Sequence, residues 1–289
     1  MLDNSAINIR DPFVVPVPAE RRYYLFGTRG LDCWEGRPEG LDVYVGSDLL
    51  HWEGPLPAFR PAPDFWADRN FWAPEVHAYD GRYYMFASFK SESACRGTQI
   101  LVADAVTGPF QPLTEKPITP ADWECLDGTL YVDAHGQPWI VFCHEWVQVH
   151  DGEVCAMPLS KDLRNPTGKP ILLFRASSAP WIIPFPSEHN YVTDGPFLYR
   201  AHDGELLMLW SSFAGSGYTQ GVARSSGGDL QGPWVQDAEP LYSNDGGHGM
   251  LFHTLEDQLM LVLHQPNTRR AERPVFIPLR EESGRLYQA

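Results

Sequence analysis

Five times along the chain a short apolar run is followed, a few residues later, by a second: YYLFG then DVYVGS, YYMFAS then ILVADA, WIVFCH then VCAMPL, LLMLWS then GVARSS, and LMLVLH then VFIPL. Runs of this length, rich in β-branched and aromatic residues and bounded by Gly, Pro and Asp, read as strands. Each pair is preceded by a tight-turn signal (Ala19-Glu20, Asp80-Gly81, His135-Gly136, Asp203-Gly204, Glu256-Asp257), and another short strand lies before each turn. The repeating unit is therefore a small antiparallel sheet of three or four strands. Spread over 289 residues, five units average about 58 residues each, close to the ~40–50 of propeller repeats and above the lengths of helical solenoid units. The pattern predicts an all-β fold, a five-bladed β-propeller. No composition shift or linker separates the units, so residues 1–289 are read as a single domain. A β-sandwich of similar strand number is the competing architecture.

Innermost strands of a propeller line its central channel, so the residues at equivalent points of the five inner strands should converge. Counting back nine or ten residues from each turn selects Asp11, Trp72, Asp127, Asp194 and His248. An Asp before Pro or Gly is ordinarily a turn former. Three of them at one phase, each opening an apolar strand where charge is costly to bury, point instead to a site. At that phase Trp72 is a sugar-stacking platform and His248 a metal or site residue. Glu75 lies three residues past Trp72, and strand period two turns it to the other face, so it is read as structural.

The 22 Lys and Arg against 37 Asp and Glu leave a formal charge of −15, the wrong sign for a phosphate backbone or an anionic lipid surface. Nucleic acid and membrane are excluded as partners, and no apolar run approaches the ~20 residues of a spanning helix. The opening MLDNSAINIRDPF lacks the cationic start and apolar stretch of a secretory leader. Five cysteines, an odd number without C-x-x-C spacing, argue against a disulfide framework or a zinc knuckle. A cytoplasmic address with reduced thiols is the expectation.

Carboxylates facing one another across a pocket, with indole and imidazole around them, are equipment for cleaving glycosidic bonds. One acid must stay protonated to donate to the leaving oxygen, and another must be ionised to activate water or attack carbon. A third raises the acid's pKa by its like charge. The parts of other hydrolases and nucleotide enzymes are missing: G-x-S-x-G, a P-loop, H-E-x-x-H and G-x-G-x-x-G are all absent.

On IRDPFV near the start, FWAPEVHAYDGRYYMF in the second unit, LDGTLYVD in the third and DGPFLY in the fourth, the chain resembles glycoside hydrolase family 43 along essentially its whole length. That resemblance implies five-bladed propellers that cut arabinose and xylose linkages with inversion. Carried over, it makes Asp11 the general base, Asp127 the residue that raises and orients the acid, and Asp194 the general acid. Inversion would set base and acid ~6.5–9.5 Å apart. It also places His248 beside the water or ion, calcium or sodium, often found on the propeller axis, with no cofactor needed for chemistry, and Arg273 against sugar hydroxyls. One departure stands out: the family acid is a Glu in EGP, whereas this chain has TDGP. Aspartate is one methylene shorter, and Glu188 and Glu145 are spare carboxylates. The WEC string holding Glu124 is like that of fructan-cleaving propellers, but those carry N-D-P in the first blade where this chain has R-D-P.

The chain ends soon after the fifth unit, without the extra β-sandwich of many xylosidases in the family, which favours arabinofuranose; a β-xylosidase or β-galactofuranosidase of the same family is the alternative. Trp34, Trp146 and Tyr218 are candidates for walling the pocket, and the long loop from Arg175 to Tyr191 for its rim. The expected activity is an inverting exo-α-L-arabinofuranosidase acting on arabinose-containing oligo- or polysaccharides. A non-catalytic carbohydrate-binding propeller is the reading from another class.

Overall fold

The computed structural model describes residues 1–31, 33–34 and 38–289 and consists of five antiparallel sheets arranged as the blades of a propeller. Blade one is built from Ile9–Val17, Arg22–Arg29, Leu41–Gly46 and His51–Phe59, with Leu2–Asp3 added at its outer edge. The inner strands of blades two to five are Arg69–Tyr79, Cys125–Val132, Asp194–Arg200 and Gly247–His253. The predicted strand pairs are the second and third strands of every blade, at Arg22–Arg29 and Leu41–Gly46 in blade one and at Leu206–Ala214 and Gly217–Ser225 in blade four.

The second strand of each blade is covered on both faces by neighbouring blades, which is why its sequence is continuously apolar rather than alternating. In blade four Leu206, Leu207, Met208, Leu209 and Trp210 are all 0% exposed. The core is accordingly distributed between blades. Phe252 and Met260 of blade five, Phe26 and Phe59 of blade one and Phe89 of blade two share one cluster; Phe86 and Phe142 join blades two and three; Phe174 and Trp210 join three and four; Leu209 and Leu261 join four and five. Four of the five cysteines, Cys33, Cys125, Cys143 and Cys155, are buried.

The ring closes without a strand shared between the first and last blades, since all the strands of blade five come from the end of the chain. Side chains make the seam. Asn8 donates to the Glu272 carbonyl at 2.9 Å, Arg273 Nε donates to the Ser5 carbonyl at 2.6 Å, and the Leu255 amide donates to the Tyr23 hydroxyl at 2.8 Å. Among the described residues no helix is long and apolar enough to cross a membrane.

Candidate active site

Every inner strand carries the same irregularity near its axial end. The pairing with the second strand slips between Arg10 and Phe13, Trp72 and Glu75, Leu126 and Thr129, Asp194 and Phe197, and Gly247 and Met250. Two residues of the inner strand then oppose one of its neighbour, a β-bulge that re-aims side chains. The doublets are Asp11-Pro12, Ala73-Pro74, Asp127-Gly128, Gly195-Pro196 and His248-Gly249. Pro or Gly follows each bulged residue because the ladder makes no demand on its N–H there. The first residue of each doublet is left-handed, with φ of 52° at Asp11, 46° at Ala73, 55° at Asp127, 51° at Gly195 and 52° at His248.

The bulges correct the sequence alignment of the blades. Asp11, Asp127 and His248 are equivalent, as expected, but their counterparts in blades two and four are Ala73 and Gly195. Trp72 and Asp194 stand one residue earlier, in the ring that also holds Arg10, Leu126 and Gly247. The TDGP segment offers both an Asp-Gly and a Gly-Pro doublet, and the fold uses the second. The close approach requires Gly195 there: a Cβ would lie 2.6 Å from the imidazole Cδ2 of His248.

Left-handed non-glycine residues cost on the order of 1 kcal/mol or more each and persist where surroundings over-determine them. Here a circuit of hydrogen bonds does so. The bulged amide of each blade donates to a side chain of the preceding blade: Ala73 to Thr28 Oγ1 (2.6 Å), Asp127 to Ser88 Oγ (2.9 Å), His248 to Ser211 Oγ (2.8 Å) and Asp11 to His264 Nδ1 (3.1 Å). The acceptors occupy one register position, each facing the residue before a bulge: Thr28, Ser88, Ser211 and His264. In blade three that position is Cys143, opposite Leu126. With a weakly accepting thiol there, the Gly195 amide bonds instead to Asp127 Oδ2 at 3.0 Å. The carboxylate of Asp127 is thereby tied to the strand that carries Asp194.

The bulges open onto a cavity of about 460 Å³ whose lining includes Asp11, Asp127, Asp194 and His248. Asp11 accepts the Thr28 hydroxyl at 2.6 Å and lies 3.1 Å from His248 Nδ1. Burial acts against its charge, but His248, Arg10 and the Thr28 hydroxyl outweigh it and hold the carboxyl below the usual range. His264, whose Nδ1 accepts the Asp11 amide, is fully buried; burial and the charge of Arg10 lower its pKa to about 3, so it stays neutral and keeps its other proton for Asn267 Oδ1. Burial also opposes the charge on Arg10, yet Asp11 and Glu272 hold it firmly protonated, with Glu272 Oε1 at 3.1 Å and Asn267 Oδ1 at 2.9 Å.

Across the cavity the environment works the other way. Burial, then the like charge of Asp127, raise Asp194 to about 7. Burial and the charge of Asp11 drive Asp127 well above the carboxylate range. The Tyr218 hydroxyl, whose proton burial and Asp194 hold in place, donates to Asp194 Oδ2 at 2.9 Å. The two carboxyls disfavour each other's ionisation and titrate as a coupled pair. Pairs of carboxyls pushed in opposite directions are the signature of an assigned base and acid.

Trp34, Trp72 and Trp146 line the cavity as expected, joined by Phe185, Phe213 and Arg269. Trp72 and Trp34 meet edge to face at 5.1 Å, and Arg10 lies 5.1 Å from the Trp34 ring. Phe185, from the long loop foreseen as a rim, stacks on Phe213 at 3.8 Å. Arg273 is a correction. Its guanidinium is bound to the Ser5 and Glu272 carbonyls at the seam and does not line the cavity, where Arg10 and Arg269 stand instead. Arg273→Ala should leave kcat/KM within about 2-fold while lowering Tm by a few degrees, the loss of hydrogen bonds worth roughly 1–3 kcal/mol; a large rise in KM with unchanged Tm would restore it to the site. Glu124 also stays outside. Burial is outweighed by its bonds to Lys90 Nζ (2.6 and 2.7 Å) and the Arg96 amide, which hold it ionised and unsuited to donate a proton. Glu75 is buried against His77 at 3.2 Å.

The expected axial ion finds little support in these residues. A calcium ion takes six to eight oxygens, whereas among the described residues no group of three His, Cys, Asp or Glu side chains is disposed to hold a metal. His248 directs Nδ1 to Asp11 and packs its ring against Gly195, so it serves here as a partner of the carboxylates.

Arg10, Thr28, His264 and Asn267 were not singled out as site residues from sequence. A signal existed: Thr28, Ser88, Cys143, Ser211 and His264 each close the apolar run of a second strand.

Compared with known proteins, residues 5–281 match the model of glycosyl hydrolases family 43. The crystal structure of an endo-arabinase from Bacteroides thetaiotaomicron VPI-5482 is 44% identical and superposes with a TM-score of 0.91, covering 98% of each chain. Among curated proteins, the extracellular endo-alpha-(1->5)-L-arabinanase 1 of Bacillus subtilis (strain 168) is 24% identical over 139 residues, 45% of this chain and 42% of that protein. The extracellular exo-alpha-(1->5)-L-arabinofuranosidase of Cellvibrio japonicus (strain Ueda107) is 23% identical over 176 residues, 55% of this chain and 46% of that protein. The matches thus span less than half the length of these two curated relatives.

Proposed function

Because the chain belongs to glycosyl hydrolase family 43, we propose that it removes terminal α-L-arabinofuranose from oligo- or polysaccharides by single displacement with inversion. Asp11, held ionised by Arg10 and His248, takes a proton from the attacking water. Asp194, neutral up to about pH 7, gives its proton to the leaving oxygen. Asp127 keeps a proton in the pair, because each of the two carboxyls disfavours ionisation of the other. The observation that carries the reading is the opposed displacement of the Asp11 and Asp194 pKa values within one cavity.

An exo mode is favoured by the walls. Every blade contributes to them: Arg10 and Trp34 from blade one, Trp72 from two, Glu145 and Trp146 from three, Phe213 and Tyr218 from four, Asn267 and Arg269 from five. A cavity of about 460 Å³ walled from all five blades suits one terminal sugar better than a polymer threading across. The second reading, internal cleavage of arabinan, is favoured by the 44% identity to a protein described as an endo-arabinase.

Linear arabinan, arabino-oligosaccharides and the nitrophenyl arabinofuranoside, xyloside and galactofuranoside distinguish these. The exo reading predicts arabinose alone from the first time point and the inverted anomer formed first by NMR. Early release of longer oligosaccharides means an endo enzyme, and silence on every glycoside means a binding propeller.

A further inference from the structure

Glu145 and Arg96 form a second charged group at this cavity, and the mechanism above does not use it. Glu145 follows directly on the strand Pro138–His144 and lines the cavity, although the residue is only 6% exposed. Arg96, 7% exposed, sets Nη1 3.4 Å from Glu145 Oε2 and lies with its guanidinium carbon 4.0 Å from the Trp72 ring centre. The pair is poorly satisfied. Glu145 Oε2 and both Nε and Nη1 of Arg96 are buried without a hydrogen-bond partner, and Arg96 Nη2 reaches Asn70 Oδ1 only at 3.5 Å. A buried ion pair repays its desolvation only when its remaining lone pairs and protons are bonded. These are not, and Glu145 itself lines the sugar-sized cavity.

The charged groups facing Glu145 are Arg96, Glu124 and Lys90 rather than the axial aspartates. A carboxylate backed by a guanidinium and flanked by Trp72 and Trp146 has the chemistry that binds a neutral sugar ring: an acceptor for hydroxyl protons beside aromatic surface for C–H faces.

We propose that Glu145 is a sugar-hydroxyl recognition residue, with Arg96 as the positioning residue that pairs with its carboxylate beside Trp72. It fixes one or two adjacent hydroxyls of the sugar seated in the cavity and so selects among pentoses and hexoses. This rests on the reading of the cavity as a glycoside site.

The test is Glu145→Gln, which keeps the shape and removes the charge, with Glu145→Asp as a second variant that keeps the charge and withdraws it by a methylene. Loss of a hydrogen bond to a charged acceptor predicts a KM raised roughly 10–100-fold with kcat changed only a few-fold. Both limbs of the pH profile should stay where they are. Substrates lacking the hydroxyl at C2, C3 or C5 locate the contact: one of them should lose affinity with the wild type and lose little further with Glu145→Gln. Unchanged KM with a lowered Tm would reduce the pair to a structural ion bridge, and loss of the basic pH limb would make Glu145 the acid; either result overturns the proposal. Calorimetric binding of free arabinose, xylose and galactose is measured in parallel. If no glycoside is hydrolysed but Glu145→Gln still weakens sugar binding, hydrolysis fails and the recognition site stands. If turnover proceeds and neither KM nor binding responds, the recognition site fails alone.

Discussion

Asp11→Asn should lower kcat by at least ~10³-fold on every glycoside while leaving Tm and circular dichroism close to wild type. General-base catalysis contributes ~10²–10⁴, and an amide cannot take the proton. The replacement is isosteric, so its remaining carbonyl oxygen can still accept the Thr28 hydroxyl, now 2.6 Å from Oδ2. The backbone amide that anchors the bulge on His264 is unaffected. Asp11 also adds to the charge that raises Asp194, so the variant's residual activity should show its basic limb at lower pH. The loss must appear equally with good and poor leaving groups, because water activation is needed whichever group departs. A kcat within tenfold of wild type, or a defect confined to poor leaving groups, would remove Asp11 from the role of base.

How far the site was legible follows from the bulges. Each announces itself as a residue followed by Pro or Gly; the axial residue was found at Asp11-Pro12 and Asp127-Gly128, whereas at Ala73-Pro74 the preceding Trp72 was chosen, one residue early. TDGP contains two overlapping doublets, and choosing between them needs the register against Leu206–Ala214, which pattern alone does not supply. Asp194 was still identified because both rings face the cavity. Arg273 was misplaced for a different reason. A guanidinium on a long side chain goes where unpaired carbonyls are, and the Ser5 carbonyl that captures it lies 268 residues away in sequence, contributed by the ring closure. Arg10, next to Asp11, lines the cavity, but its orientation depends on Glu272 and Asn267 from the last blade. Cys143 was read as an ordinary core thiol. Only the register shows that it occupies the position where the other blades carry a hydroxyl or an imidazole, and that its weakness as an acceptor passes the Gly195 amide to Asp127.

Asp194→Asn should separate substrates by leaving group. On arabino-oligosaccharides, whose departing alkoxide must be protonated, kcat/KM falls by about 10³-fold or more; on a dinitrophenyl arabinofuranoside, which needs no acid, the loss stays within about tenfold. The same variant loses the basic limb of the wild-type profile, expected near pH 7 from the position of Asp194. Asp127→Asn keeps that limb but moves it to lower pH, since the like charge that raises Asp194 is gone. Stability provides an independent reading. Asp194 is raised from 3.8 to about 7 on folding, so its neutral form favours the native state below about pH 4 and that contribution is lost as pH rises through 7. Asp194→Asn removes the pH-dependent cost, so the variant should melt above wild type at pH 8 and match it near pH 4. Asp194→Glu asks whether the shorter acid is tuned to this cavity. With Tyr218 set at 2.9 Å from the aspartate oxygen, an added methylene displaces the proton donor, and misplacement by about 1 Å can cost ~100-fold. Equal losses on good and poor leaving groups in Asp194→Asn, with the basic limb intact, would transfer the acid role to another carboxyl.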